Sequence, residues 1–175
     1  MEKSGLPSRA PAEPAKPSRE NDPYRMFRFR VKMGGKGYLD TGGTTEAAFS
    51  QCSGIRATTQ VLKVRTGADI RGVQGIVPSI VEYSNVTLSR GVVASGTFLD
   101  WVFDCMPGYL TGPAKPERRT IDIVVLDDKG KEGVTWTLYG AYPVGYELSS
   151  LDAGQDGVLM ESLEFAYAGL KRTGP

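Results

Sequence analysis

Four sets of residues in this chain have side chains that could do chemistry. Asp122, Asp127, Asp128, Glu147, Glu161 and Glu164 are candidates for a general acid and base. Asp152, Asp156, Gly157 and Glu161 hint at a cation loop, Gly34, Gly35, Lys36 and Gly37 at a phosphate loop, and Tyr139, Tyr142, Tyr146 and Trp136 at a platform for stacking a sugar or base. None survives a test of spacing. Counted from Asp152, the sixth position is Gly157, as a helix-loop-helix calcium site requires, but the twelfth is Leu163 where a bidentate Glu belongs. The glycine cluster lacks the Walker spacing, has no Ser or Thr after Lys36, and follows a strand pattern without opening a helix. The carboxylates lie on two-sided strand patterns, where charges mark the wet face. The aromatic residues fit half-buried strands, so packing in a core or interface is their expected role.

Histidine is absent from all 175 residues. That removes the usual general base near neutral pH and the commonest metal ligand, so Ser-His-Asp and Cys-His catalysis and imidazole-bound zinc are excluded. No catalytic, cofactor-binding or metal-binding residue is assigned. Net charge is +1 with 23% charged residues, so no overall field draws the chain to nucleic acid or to a membrane. Two cysteines, Cys52 and Cys105, are too few for a disulfide scaffold and fit a reducing compartment. The opening stretch lacks the apolar core of a secretory signal, and no apolar run reaches membrane-spanning length, so a soluble, cytoplasmic protein without a membrane anchor is expected.

The elements that would position these groups are mostly strands. Residues 1–22 carry prolines at 7, 11, 14 and 17 and no apolar periodicity, and read as an extended arm, either loose or ordered only against a neighbouring subunit. A domain over 23–173 follows. Phe27, Phe29, Val31 and Met33 alternate with Arg28, Arg30 and Lys32, a strand with one buried face that Gly34, Gly35 and Gly37 should end. Further strands are expected at Ala47–Ser53, Ile55–Arg65, Tyr83–Arg90 (Val86 and Leu88 inward), Ile121–Leu126, Val134–Leu138, beyond Pro143 to about Leu148, and Leu159–Leu170 with Leu163, Phe165 and Tyr167 on one face. Asp127-Asp128-Lys129-Gly130 reads as a hairpin turn.

One helix is predicted, Thr97–Met106, with Phe98, Val102 and Cys105 inward, Leu99 and Met106 beside them, and Asp100 and Asp104 outward. Ser95 could cap it and Pro107-Gly108 stops it. The fold class is therefore mainly β, an antiparallel barrel or sandwich with a single α-helix at about 97–106. Strands this long leave edges that must close on themselves or pair with another chain. Residues 66–82 read as a loop or the tip of a long hairpin, in which Ile70, Val73, Ile76, Val77 and Ile80 are costly to leave in water.

The order of segments is more telling than any one motif. DPYRMFRFRV (22–31), FSQCSGI (49–55), YSNVTLSRG (83–91) leading into FLDWV, RRTIDIVVLDDKG (118–130), WTLYGAYPVGYE (136–147) and VLMESLEFAYAGLKR (158–172) together resemble the tail tube proteins of contractile phage tails and related contractile injection systems. The resemblance implies an Hcp-like fold whose subunits form homo-hexameric rings that stack into a hollow tube. It implies partners as well: a sheath around the tube, a baseplate or spike initiator, a cap or terminator, and cargo protein or DNA in the lumen, with no sequence-specific nucleic-acid contact. Assembly would take place in a bacterial cytoplasm, with the subunit ending in a phage tail or injection-system particle. In such families a long hairpin and its neighbouring loop reach the adjacent ring, which maps here to Thr58–Arg65 and 66–82. Leu62, Val64, Ile70, Val73, Ile76, Val77 and Ile80 are the inter-subunit contact candidates. Two features depart from the pattern, the Pro-rich arm and an expanded connector at 107–117 (PGYLTGPAKPE). The competing expectation is a monomeric β-barrel that binds a small apolar ligand, with the helix closing one end.

Overall fold

The computed structural model describes residues 23–36, 45–64, 75–93, 96–106, 117–154 and 156–174. Strands dominate: β1 (Phe29–Lys36), β2 (Thr45–Ala47), β3 (Gln51–Ser53), β4 (Ala57–Val64), β5 (Gly75–Tyr83), β6 (Val86–Gly91), β7 (Arg119–Leu126), β8 (Glu132–Leu148), β9 (Met160–Ala166) and β10 (Gly169–Thr173). The helix α1 is Thr97–Cys105. All pairings are antiparallel.

The main sheet runs β2-β1-β7-β8-β9-β6-β3, with β10 pairing β8 beyond the end of β9. Its first and last strands, β2 and β3, are consecutive in the chain with only residues 48–50 between them, so a covalent corner ties the sheet's two ends together. Ser50 strengthens that corner by donating both its amide and its hydroxyl to the Ser89 carbonyl, at 2.9 and 3.0 Å. One strand predicted over 47–53 is thus two short ones on opposite margins, because Phe49 turns into the core at the bend.

The longest strand, β8, is expected from the sequence as two pieces, Val134–Leu138 and a second from beyond Pro143 to about Leu148. It is continuous over 17 residues because it changes partners instead of stopping. Thr135–Tyr139 lies between β7 and β10, whereas Tyr142–Leu148 pairs β9. Gly140 takes φ +62 at the changeover, a conformation that side chains with a Cβ rarely adopt. Similarly, Gly34 does not end β1; the ladder shifts register between Met33 and Lys36, a bulge rather than a stop. Phe27 is a further correction. It lies in a turn before β1, exposed, and the alternating buried face begins at Phe29.

The interior is closed by α1, which lies against β2 and β8. Phe98, Val102 and Cys105 are buried and Asp100 and Asp104 exposed, as the helical spacing predicts. Gly96 occupies the N-cap and has no side chain to cap with; Ser95 lies outside the described residues. The helix ends one residue early, with Met106 extended, because Pro107 disfavours a helical conformation in the residue before it. Trp101 stacks on Phe165 (5.6 Å between centroids, 7° between planes), and Phe98 meets Phe49, Trp101 and Phe165 edge-on. Val86, Leu88, Leu163 and Phe165 are fully buried, and Tyr167 nearly so, with Val31, Ile121 and Leu138 in the same core.

Candidate assembly surfaces

Most of the carboxylates that could do chemistry are engaged in building the fold, while Glu147 and Asp156 are exposed. Asp127 accepts hydrogen bonds from the Lys129 and Lys131 amides at 2.8 Å and so shapes the β7–β8 turn. Asp128 pairs with Arg25, Asp122 accepts from the Thr137 hydroxyl at 2.6 Å, and Glu164 accepts from Asn85 at 2.8 Å. Glu161 is buried in β9 and bonded to Arg90 of β6 at 2.6 Å. It cannot join Asp152, whose carboxylate accepts from the Gly154 amide in an exposed turn. Sequence alternation could have placed Glu161 inward with Leu163 and Phe165, but its charge argued for the surface.

Burial pushes the Cys52 thiol from 9.0 up to about 11, and burial is also the main cause that raises Cys105. Neither is an activated thiolate near neutral pH. The Tyr146 hydroxyl is raised by burial and by the neighbouring Glu161 charge, and Tyr167 chiefly by burial. Tyr142 donates to the Cys105 carbonyl at 2.9 Å, Trp136 packs on the core, and Tyr146 lies against Phe103, so the four aromatics form no common platform. A shallow cleft of about 260 Å³ over β6, β8 and β9 is lined by Thr87, Gly145, Tyr146, Glu147, Ser162 and Glu164, a polar rather than an apolar surround. The space an apolar ligand would need inside the sheet is taken by Phe98, Trp101 and Phe165.

The candidates at 57–82 present a different picture. Of the two expectations for 66–82, a loop or the tip of a long hairpin, the hairpin holds, and from Gly75 onward the segment is its second strand rather than its tip. Pro78 is tolerated in β5 because the sheet has only two strands and shifts register between Thr59 and Val61. Every residue of β4, and all of β5 except Tyr83, is exposed, so the ribbon stands off the domain. Seven residues of rise carry it about 23 Å from its base.

Its base is fixed. Gly54 takes φ +88, where a Cβ would come within 2.2 Å of the Asn85 carbonyl oxygen. The Tyr167 hydroxyl donates to the Arg56 carbonyl at 3.2 Å, and Tyr83 packs on Tyr167. Gln60 reaches across the ribbon to Glu82 at 2.6 Å.

Register then sorts the apolar side chains. Leu62 faces Val77, with Val64 on the same side; Val61 faces Pro78, and Ile76 lies beside them opposite Lys63. Both faces are therefore apolar and open, from Val77 at 48% exposed to Ile76 at 66%. Leu62, Val64, Ile76, Val77 and Ile80 are all on this ribbon, whereas Ile70 and Val73 lie outside the described residues. Val61 and Val81 belong to the set as well. Val61 was missed because a single buried face was assumed for its strand, and Val81 because its segment was read as a loop or hairpin tip.

Main-chain edges are the second surface. Within the described residues, Tyr142–Leu148 of β8 has a strand on one side only, as do β2, β3 and β10. Such edges accept another strand.

The family model described as "T4-like virus tail tube protein gp19" matches residues 25–171. No curated protein matches the chain by sequence. Among solved structures, a chain of the anti-feeding prophage (AFP) baseplate is 24% identical with a TM-score of 0.73, covering 87% of this chain and 96% of that one. A chain of an extracellular contractile injection system, the PVC sheath-tube complex in its extended state, is 19% identical with a TM-score of 0.70, covering 89% and 95%. A chain of the anti-feeding prophage cap that terminates the tube is 18% identical with a TM-score of 0.71, covering 94% and 99%. At these identities the likeness is one of fold.

Proposed function

This chain belongs to the T4-like virus tail tube protein gp19 family, and we propose that it is a structural subunit of the inner tube of a contractile phage tail or contractile injection system. Six copies form a ring, and rings stack into a hollow tube. A contracting sheath drives that tube through a target envelope, and cargo protein or DNA passes along the lumen. A baseplate or spike starts the tube and a cap or terminator ends it. Assembly takes place in the bacterial cytoplasm. The role is mechanical and no residue is assigned covalent chemistry.

The observation that carries this reading is the ribbon β4–β5. An isolated two-stranded ribbon is marginal in water, and one with apolar side chains on both faces needs cover on both. A single partner surface covers one face, whereas neighbouring copies in an assembly cover two. Leu62, Val64, Ile76, Val77 and Ile80, with Ile70 and Val73 from the segment outside the described residues, are the contact residues in this proposal. The open edges support closure of the ring by strand pairing between copies.

Residues 23–173 form the tube domain and 1–22 a separate arm. Tyr24 and Arg25 support that boundary: Arg25 pairs with Asp128, and the Tyr24 ring fills the space that a Cβ on Gly133 would take. Tyr24 and Arg25 thus lie at the β7–β8 turn.

Ile76→Asp tests the reading. Negative-stain electron microscopy of the concentrated wild-type protein should show rings and stacked tubes, and the variant rings without tubes, because burying an unpaired charge costs several kcal/mol. Normal tubes from the variant would show that the ribbon is not the stacking contact.

A further inference from the structure

Residues 1–22 precede the stretch matched to the tail tube family, and the tube reading assigns them no contact. Within them, Pro11, Pro14 and Pro17 recur every three residues. Three residues make one turn of a polyproline II helix, so in that conformation these prolines share one edge, about 9 Å apart. Glu13, Lys16 and Arg19 share a second edge, cationic in its last two positions. Proline edges of this kind dock on exposed aromatic side chains. A basic edge beside them calls for carboxylates next to those aromatics.

Such a place is built by α1 and β8. Phe103 of the helix packs on Tyr146 of the strand, 5.0 Å between centroids and 59° between planes, yet the two are still 49% and 37% exposed. Val144 and Leu148 flank them on the same strand, each about half exposed. Tyr146 also lines the cleft of about 260 Å³ that Glu147 and Glu164 share with Thr87 and Ser162. Asn85 holds Oε1 of Glu164 at 2.8 Å, while Oε2 lies over Gly145, which has no side chain to crowd it. The Glu147 carboxylate is exposed and has no partner among the described residues. Open aromatic surface and unneutralised carboxylates thus meet at one residue, Tyr146.

The reach fits as well. Tyr24 packs on Gly133 near the start of β8, and the strand from Gly133 to Tyr146 spans at most about 43 Å by its rise. In polyproline II geometry Pro14 lies about 31 Å from Tyr24 and Pro11 about 40 Å. A tether whose length matches the span gives an intramolecular contact its highest effective concentration. We infer that the segment Pro11–Lys16 docks on its own copy, with Pro11 and Pro14 against Phe103 and Tyr146 and with Lys16 in the cleft between Glu147 and Glu164. The docked segment also shields the open main-chain edge Tyr142–Leu148, as exposed edges commonly are shielded. This contact lies within a single copy and stands independently of the tube reading.

A benzophenone side chain in place of Ala12, between the two prolines, tests this in the full-length chain. Isotopically light protein carrying the crosslinker is mixed with an equal amount of heavy wild-type protein, dilute enough that light scattering detects no assembly. The mixture is irradiated, digested and analysed by mass spectrometry. Crosslinks to residues 99–106 or 142–148, confined to light–light pairs, are expected. Mixed light–heavy crosslinks at those residues place the segment on a second copy and overturn docking within one copy. Crosslinks elsewhere, or none above the unirradiated control, overturn the site itself. A charge exchange is the second readout, and its first step lies in the arm, away from the folded domain. Lys16→Glu should lower the crosslink yield about fivefold, and Lys16→Glu/Glu147→Lys should restore it to within about twofold. A yield unmoved by Lys16→Glu, or left low by the exchange, overturns the assignment of Lys16 to the cleft.

Discussion

Replacing Glu161 by Gln should destabilise the domain strongly, and replacing both members of its ion pair should not. Arg90 and Glu161 face each other across β6 and β9 at 2.6 Å, with side-chain exposures of 7% and 1%. Arg90 also lies over the Phe49 ring at 5.5 Å, and its Nη2 has no hydrogen-bond partner. The guanidinium therefore depends on one carboxylate for its charge. Removing one partner of such a pair leaves a buried charge uncompensated and costs about 3–5 kcal/mol. For a domain of this length that is a drop of roughly 6–20 °C in Tm, taking about 2–4 °C per kcal/mol.

Arg90→Met should cost a similar amount, since it leaves Glu161 with only the Tyr146 hydroxyl, 3.5 Å away. The double variant Arg90→Met/Glu161→Leu removes both charges from an apolar site and should recover most of the loss, because apolar replacements of buried pairs are often neutral or stabilising. Urea unfolding followed by tryptophan fluorescence suits the question, because Trp101 sits in the core against Phe165. The protein must be dilute enough that light scattering detects no assembly, since association adds to apparent stability. Single variants within about 1 kcal/mol of wild type, or a double variant as poor as the sum of the singles, would refute a buried, mutually dependent pair.

Two further expectations concern the ribbon's base and the core margin. Gly54→Val should lower the urea midpoint and also impair tube stacking, because its φ of +88 and the 2.2 Å approach to the Asn85 oxygen leave no room for a Cβ. An unchanged midpoint with normal tubes would show that the base is soft. For Cys52 the folded thiol has the higher pKa, about 11 against 9.0, so its contribution is complete below about pH 9 and is lost as the pH rises towards 11. Urea midpoints at pH 8 and pH 10.5 should fall more steeply in wild type than in Cys52→Ala, and equal slopes would count against the burial of that thiol.

How far the sequence could be read depended on whether a segment completes its burial within its own chain. The helix was legible because Phe98, Val102 and Cys105 bury against this chain's own sheet, and Val86, Leu88, Leu163 and Phe165 were legible for the same reason. Glu161 was placed on the wet side because of its charge, whereas it is the most buried charge among the described residues. The continuity of β8 was not legible, since a strand that exchanges one partner for another at Gly140 has the same composition as two strands with a turn between them. The ribbon was hardest. Periodicity finds strands by the contrast between a wet and a dry face, and β5 has no such contrast, because Val77 and Ile76 point to opposite sides and both are apolar. Absence of alternation normally signals a loop or a strand buried on both faces. On the tube reading proposed above it signals the second, with the covering surfaces supplied by neighbouring copies. On that proposal the segment that defeats the one-chain reading is the one whose burial is completed in the assembly, which is why exposed Val61, Leu62, Ile76 and Ile80 carry no alternation within their own chain.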